Sequence, residues 1–108
     1  MLAKRNRLPI STNTKHFLNF PAAFFSLKVG KNHTKDARFG FIVAKKIDKK
    51  ATARNRIKRQ FRRFAEENCS KIKPGYDFLF RIKKEAMNQE TKEIHKQIEK
   101  ILKKEKLI

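Results

Sequence analysis

Between Arg38 and Phe64 the chain reads RFGFIVAKKIDKKATARNRIKRQFRRF, and the fold turns on where that run changes its period. Its first part, Arg38 to Lys45, is rich in Phe, Ile and Val with partial alternation, which predicts a strand. From residue 51 to 68 there is no glycine or proline, and apolar residues recur every three or four positions, which predicts a helix. Wound at about 100° per residue, Ala53, Ile57, Phe61 and Phe64 share one stripe that must face a core. Arg54, Lys58 and Arg62 form the adjacent stripe, and Asn55, Arg59 and Arg63 the next one round.

Outward from that run the elements follow in order. Residues 1–15 are polar and basic and read as an arm, leading into at most a short helix around residues 14–20. Phe24 to Val29 reads as a first strand, and Gly30 to Asp36 carries turn chemistry that looks like a hairpin connection to the strand at 38–45. Beyond the helix, Pro74-Gly75 marks a turn, and Tyr76 to Lys83 alternates as a third strand. Ile94, Ile98, Ile101 and Leu102 form the apolar stripe of a C-terminal helix from about Asn88 to Lys104. The fold class is therefore α+β: a single two-layer domain over residues 1–108, one small central sheet with packed helices.

Charge narrows the function. Lysine and arginine number 29 against 10 acidic residues, a formal net charge of +19. Solubility needs only about 2–8 charges in a small domain. The excess favours a polyanionic partner, because each neutralised phosphate releases condensed counterions. An anionic membrane surface is the main competitor. No apolar run approaches the roughly 20 residues needed to span a bilayer.

The charge is concentrated between positions 45 and 63, with ten basic residues and one acidic. Like charges at i, i+4 destabilise an isolated helix by about 0.2–0.5 kcal/mol per pair. Folding gains nothing from that arrangement, so an anionic ligand explains it best. Arginine suits the task because its planar fork grips phosphate in two places. Candidate nucleic-acid-binding residues are Lys45, Lys46, Lys50, Arg54, Asn55, Arg56, Lys58, Arg59, Arg62 and Arg63, with Asn55 suited to a base edge, a 2′-hydroxyl or a metal-bound water. On the C-terminal helix, Lys92, Lys96, Lys100 and Lys104 are diluted by Glu93, Glu99 and Glu105, the pattern of a solvated face.

Several classes are disfavoured. A single cysteine, Cys69, excludes an internal disulfide and a multi-cysteine zinc site, and suits a reducing compartment, as a small buried hydrophobe. His16, His33 and His95 are scattered without a carboxylate cluster, so no catalytic residues are expected on this chain. The basic N-terminus lacks the apolar segment of a secretory signal, which makes the cytoplasm the expected location. The aromatic residues are unusual: ten Phe, one Tyr and no Trp. A domain this small is not expected to bury every Phe, and one left on an open sheet face would be a platform for unstacked bases. By alternation Phe39 and Phe41 lie on one face of their strand, and Gly40, Ile42 and Ala44 on the other. Which face is open is not set by the pattern.

The block Ala53 to Arg62, preceded by Arg38 to Lys46, resembles the bacterial ribonuclease P protein family, whose hallmark is an Arg-Asn-rich helix after an Arg-x-Gly-x-x-Val-x-Lys-Lys strand. Arg5 to Leu8, the Tyr76-Asp77-Phe78 strand and the final amphipathic helix fit as well. The resemblance implies a ribosomal protein S5 domain 2-like fold with a left-handed β-α-β crossover. It implies a catalytic RNA partner under the basic helix, and a cleft between the sheet and an N-terminal helix for the 5′ leader of precursor tRNA. Leader contacts would fall on Phe17, Phe20, Leu27, Phe39, Gly40, Ile42 and Ala44. Hydrolysis would be carried by metal ions (Mg2+) held in the RNA, with no cofactor on the protein alone and one protein per RNA. The segment between Leu8 and Phe24 is shorter than the family's, lacks the glycine that closes its first helix, and position 42 is bulkier. A ribosomal-protein-like binder of structured RNA shares the charge and size but not the placement of the Arg-Asn helix. A DNA-binding module would need a free helix face, and one face here is committed to a core.

Overall fold

The computed structural model describes residues 2–9 and 11–108; Met1 and Ile10, both within the expected N-terminal arm, lie outside the described residues. The regular elements are β1 (Leu18–Pro21), β2 (Phe25–Lys31), β3 (Arg38–Ile42), α1 (Ala51–Asn68), β4 (Tyr76–Ile82) and α2 (Thr91–Lys104), with short 3-10 turns at Lys4–Asn6 and Lys84–Ala86. The four strands form one sheet in the order β1-β2-β4-β3. β4 pairs antiparallel with β2, from Phe25 opposite Ile82 to Lys31 opposite Tyr76, and parallel with β3. α1 is the crossover between the parallel strands.

Both helices pack on the same sheet face. Ile57, Phe61, Phe64 and Ala65 of α1 and Ile94, Ile98 and Leu102 of α2 join Phe25, Leu27, Val29, Phe39, Phe78, Phe80 and Ile82 in one core. Ala53, expected in that stripe, is only half-buried at the rim. All ten Phe are buried or half-buried, contrary to the expectation from domain size. Register makes this possible: Phe39 stacks on Phe78 with ring centroids 5.2 Å apart, and Phe41 on Phe80 at 5.5 Å. Phe25 meets Phe61 of α1 edge-on at 5.7 Å. Each ring fully removed from water contributes about 1.5–3 kcal/mol.

Two expected elements are replaced. No helix forms at 14–20: the Asn13 side chain accepts a hydrogen bond from the Lys15 amide, and the Phe17 amide donates to Thr14. These tight turns compete with a helix, and the residues after them pair as β1, Leu18 opposite Val29 and Phe20 opposite Leu27. Pro21 is tolerated because β1 is an edge strand. The hairpin expected at 30–36 is also absent, because β4 lies between β2 and β3. The Asn32 amide donates to Gly75 O, and the Gly75 amide to Asp36 O, so the loop is tied to the turn that starts β4. The strand expected at 38–45 ends at Ile42, and the last helix starts at Thr91 after Asn88 takes a positive φ of 69°.

Opposite the helices, the sheet carries the alternate set: Lys28, Gly30, Arg38, Gly40, Ile42, Asp77, Leu79 and Arg81. The N-terminal segment closes the outer edge of β3. Leu2 is in the core, the Asn6 side chain donates to Ala37 O at 2.8 Å, and the Leu8 amide donates to Phe39 O at 2.9 Å. An exposed edge is a template for unwanted pairing, and this covering removes it.

Candidate nucleic-acid interface

α1 forms where it does because Lys50 begins a run without glycine or proline, rich in Ala, Arg, Lys, Gln and Glu, with a continuous apolar stripe. Its first turn has no acidic residue and no side-chain cap. Instead, Arg54 folds back: Nη1 donates to Asp48 O at 2.7 Å and Lys49 O at 2.9 Å, fixing the loop before the helix. Half the Arg54 fork is thus already engaged. Lys45, Lys46 and Lys50 are exposed in and beside that loop, and Ala44 is half-buried beyond the end of β3.

The remaining cations divide between two flanks and a crest. Asn55 and Arg59 are exposed on the crest. Lys58 and Arg62 overlook a cavity of about 460 Å³ floored by Leu8, Phe39, Gly40 and Phe41 and reached also by Arg7. Arg62 stands over the Phe41 ring at 5.9 Å, within range of a cation–π attraction. Arg56 and Arg63 lie on the opposite flank, facing the start of α2. Among the described residues, ion pairs engage Arg5, Arg38, Lys92, His95 and Lys103, and no cation of the 45–63 segment. The segment's ten cations face a single acidic residue within it, Asp48, and none of them is held in an ion pair among the described residues.

The seven residues expected to line a leader cleft are not brought together. Leu27 is fully buried and Phe39 is 3% exposed, both on the helix side of the sheet. Phe20 lies opposite Leu27 and faces the same way. The open side keeps Phe17, Gly40 and Ile42. The Phe17 ring lies so close over Gly30 that a Cβ there would stand 2.2 Å from it. A Cβ on Gly40 would meet Leu8 at 3.0 Å and Leu79 at 3.2 Å. Between them a cavity of about 310 Å³ is walled by Leu8, Pro9, Thr12 and Thr14 and floored by Gly40, Ile42 and Leu79. No periodicity marks Thr12 and Thr14, which reach the sheet only because the segment folds back over it.

At one end of the open face, buried Asp77 accepts two hydrogen bonds from Arg38, 2.7 and 2.8 Å, and a third from Asn32 at 2.9 Å. The bonded carboxylate raises the Arg38 pKa above its ordinary value, against the partial burial that lowers it. Cys69 is half-buried rather than fully enclosed; burial pushes its thiol pKa up, with Arg5 opposing and Asp36 adding. His16 and His33 are exposed, while His95 bonds the Gln60 carbonyl at 2.8 Å and packs α2 against α1. No group of three His, Cys, Asp or Glu among the described residues could hold a metal ion, and no helix among them is long and apolar enough to cross a membrane.

This arrangement, an exposed arginine-rich crossover helix over a four-stranded sheet, has known relatives. The family profile described as Ribonuclease P matches residues 10–106. The chain belongs to the ribonuclease P protein family. It is 38% identical over 98 residues to the ribonuclease P protein component of Fusobacterium nucleatum, covering 87% of this chain and 84% of that protein. The ribonuclease P protein of Staphylococcus aureus superposes with a TM-score of 0.77 at 26% identity, over 86% of this chain and 84% of that one. The protein from Thermotoga maritima shares the fold with a TM-score of 0.83 at 24% identity, over 93% and 97% of the two chains. Membership makes the chain part of a tRNA-processing enzyme in which protein works with RNA.

Proposed function

We propose that this chain is the protein subunit of a cytoplasmic ribonuclease P, binding the catalytic RNA through the crest and flanks of α1 and the 5′ leader of precursor tRNA along the open sheet face. The observation that carries the reading is the basic segment itself. Its cations are displayed on a rigid helix, none paired with a carboxylate among the described residues, inside a chain that belongs to the family. Arg59 and Asn55 on the crest meet the RNA first, and Lys58 and Arg62 follow it toward β3.

For the leader, the open face offers Gly40 as a place where a backbone can come close, beside a Phe17 ring that is itself buried against Gly30. Leu27, Phe39 and Phe20 support that face from behind rather than touching the strand. Hydrolysis belongs to Mg2+ ions held in the RNA, the protein binds no cofactor of its own, and one protein serves one RNA. The protein's own part is to neutralise phosphates and hold substrate and RNA together.

The test is cleavage of a precursor tRNA by a bacterial ribonuclease P RNA at low magnesium, with and without the protein. Expected is cleavage at the mature 5′ end that depends on the protein and falls at least tenfold when Lys58 and Arg59 become alanine, the order of two lost charge-assisted contacts. RNA binding without any stimulation of cleavage would reduce the chain to a passive binder of structured RNA.

A further inference from the structure

The cations on the flank of α1 that faces α2 line a groove shared by both helices. Two depressions, of about 250 and 180 Å³, lie end to end there and have Arg56 and Gln60 in common. Lys50 stands at one end, Arg59 and Arg63 at the other. From Lys50 to Arg63 the helix rises about 20 Å, room for several phosphates in a row. No apolar residue lines the smaller depression, although the aliphatic stems of its arginines do: its walls are Arg56, Arg59 and Arg63, and its floor is Gln60 and Thr91. Gln60 Nε2 donates to Thr91 Oγ1 at 3.0 Å, at the first residue of α2.

α2 adds cations of its own. Thr91 and His95 touch α1, so Lys92 and Lys96, each one residue further round the helix, take the outer shoulder of the groove. Both are exposed. Lys96 has no ion pair among the described residues, and the Lys92–Glu90 pair is a long 3.6 Å contact between side chains that are 77% and 73% exposed, worth little. Cations on facing walls of a groove repel each other, and an intervening anion converts that repulsion into attraction. Gln60 and Thr91 between arginine walls suit a phosphodiester backbone at the Arg63 end, while the Lys50 end also carries Ala53, Ile57, Met87 and the Asp48 carboxylate.

We propose that the groove between α1 and α2 holds a second segment of RNA backbone, with Lys92 and Lys96 forming its outer wall. α1 then stands as a ridge between two backbone segments, one on the Lys58–Arg62 flank and one in this groove. The inference rests on α1 being the RNA-binding surface, and extends that surface onto a helix whose charge pattern is that of a solvated face.

The experiment measures binding of a bacterial ribonuclease P RNA across a salt series, for the unmodified protein and four variants. Each lysine contact contributes about 0.9 to the slope of log K against log salt, or about 0.7 on single strands. Lys92→Ala with Lys96→Ala is expected to reduce the slope by about 1–2. Thr91→Glu puts an anion in the floor at a helix first turn, where it is tolerated by the fold. It is expected to weaken binding about tenfold or more at an unchanged melting temperature, since like charges brought together cost several kcal/mol. Lys31→Ala with Lys35→Ala removes equal charge at the far end of β2 and is expected to leave the slope as it was. Lys58→Ala, on the opposite flank and outside the groove, reports on α1 alone. An unchanged slope in the Lys92/Lys96 variant while Lys58→Ala weakens binding would overturn this inference and leave the proposed function standing. An equal loss in the Lys31/Lys35 control would overturn it too, as an effect of net charge. No RNA binding by the unmodified protein would overturn both.

Discussion

The two faces of the sheet are made by the same four strands and built on opposite terms. On the helix side, aromatic rings are stacked across strands, Phe39 on Phe78 and Phe41 on Phe80, and sealed by Phe61 from α1. On the other side the alternate residues are glycines, cations, Leu79, Ile42 and a buried carboxylate held by Arg38 and Asn32, with Phe17 and Leu8 laid on from the N-terminal segment. The first face is specified by what it must exclude, which is water. The second is specified by what must come close to it: small residues where backbone or ring approaches, charge where it meets solvent or phosphate.

If that division is right, the largest effects on folding come from the covered face. Phe80→Ala is expected to cost about 3–5 kcal/mol of stability in urea denaturation, by lost transfer energy and the cavity left behind. One site on the open face should approach it. Arg38→Ala strands the Asp77 carboxylate, which is 1% exposed, with Asn32 as its remaining side-chain partner. About 3 kcal/mol is expected, the low end for a broken buried pair because Arg38 itself keeps some contact with solvent. A loss below about 1 kcal/mol would mean that Asp77 is not the fixed point it looks to be.

A smaller effect is expected at Gly30→Ala, and it would sharpen the contrast. The new Cβ must displace the Phe17 ring, since 2.2 Å is no contact distance. Overpacking of this kind costs about 1–3 kcal/mol. Because Phe17 comes from a turn rather than a strand, the ring can move aside at the lower end of that range. Melting temperature reads the fold, and affinity for leader-bearing against leaderless precursor tRNA reads the site. The expected outcome is a modest fall in the first and a leader-specific fall in the second.

Much of this was legible in the residues, and the limits are physical. α1 runs over 51–68 as its composition predicts, because nothing in that stretch breaks a helix and its apolar stripe is continuous. The basic segment was equally plain, being local charge on a local element. Strand order was not: β4 enters between β2 and β3 through hydrogen bonds that tie Asn32 and Asp36 to Gly75, partners some forty residues apart in sequence. Alternation placed Phe39 and Gly40 on opposite faces but could not say which face the helices take. That depends on where α2 docks, and it moved Leu27, Phe39 and Phe20 from the expected cleft into the supporting layer. Arg54 shows the same limit on a smaller scale, a cation with half its fork already occupied by the carbonyls of its own preceding loop.

The smallest expected effect separates the faces most cleanly. Among the described residues, Leu18 and Ile42 are the two large hydrophobics that stand out as exposed, at 67% and 43%. Leu18 lies opposite Val29 and so points to the helix side at the outer edge of β1, whereas Ile42 alternates with Phe41 and points to the open side. Replacing either with glutamate changes stability by less than about 0.5 kcal/mol, as is usual for exposed positions. A leader on the open face meets the new carboxylate only at position 42. One like charge near a phosphate in a water-rich setting is worth about 1 kcal/mol, so Ile42→Glu should weaken leader-bearing substrate by a few-fold and leave leaderless tRNA unaffected. Leu18→Glu should change neither. Equal behaviour of the two variants would break the assignment of the leader to this face while leaving the fold, the family and the role of α1 untouched.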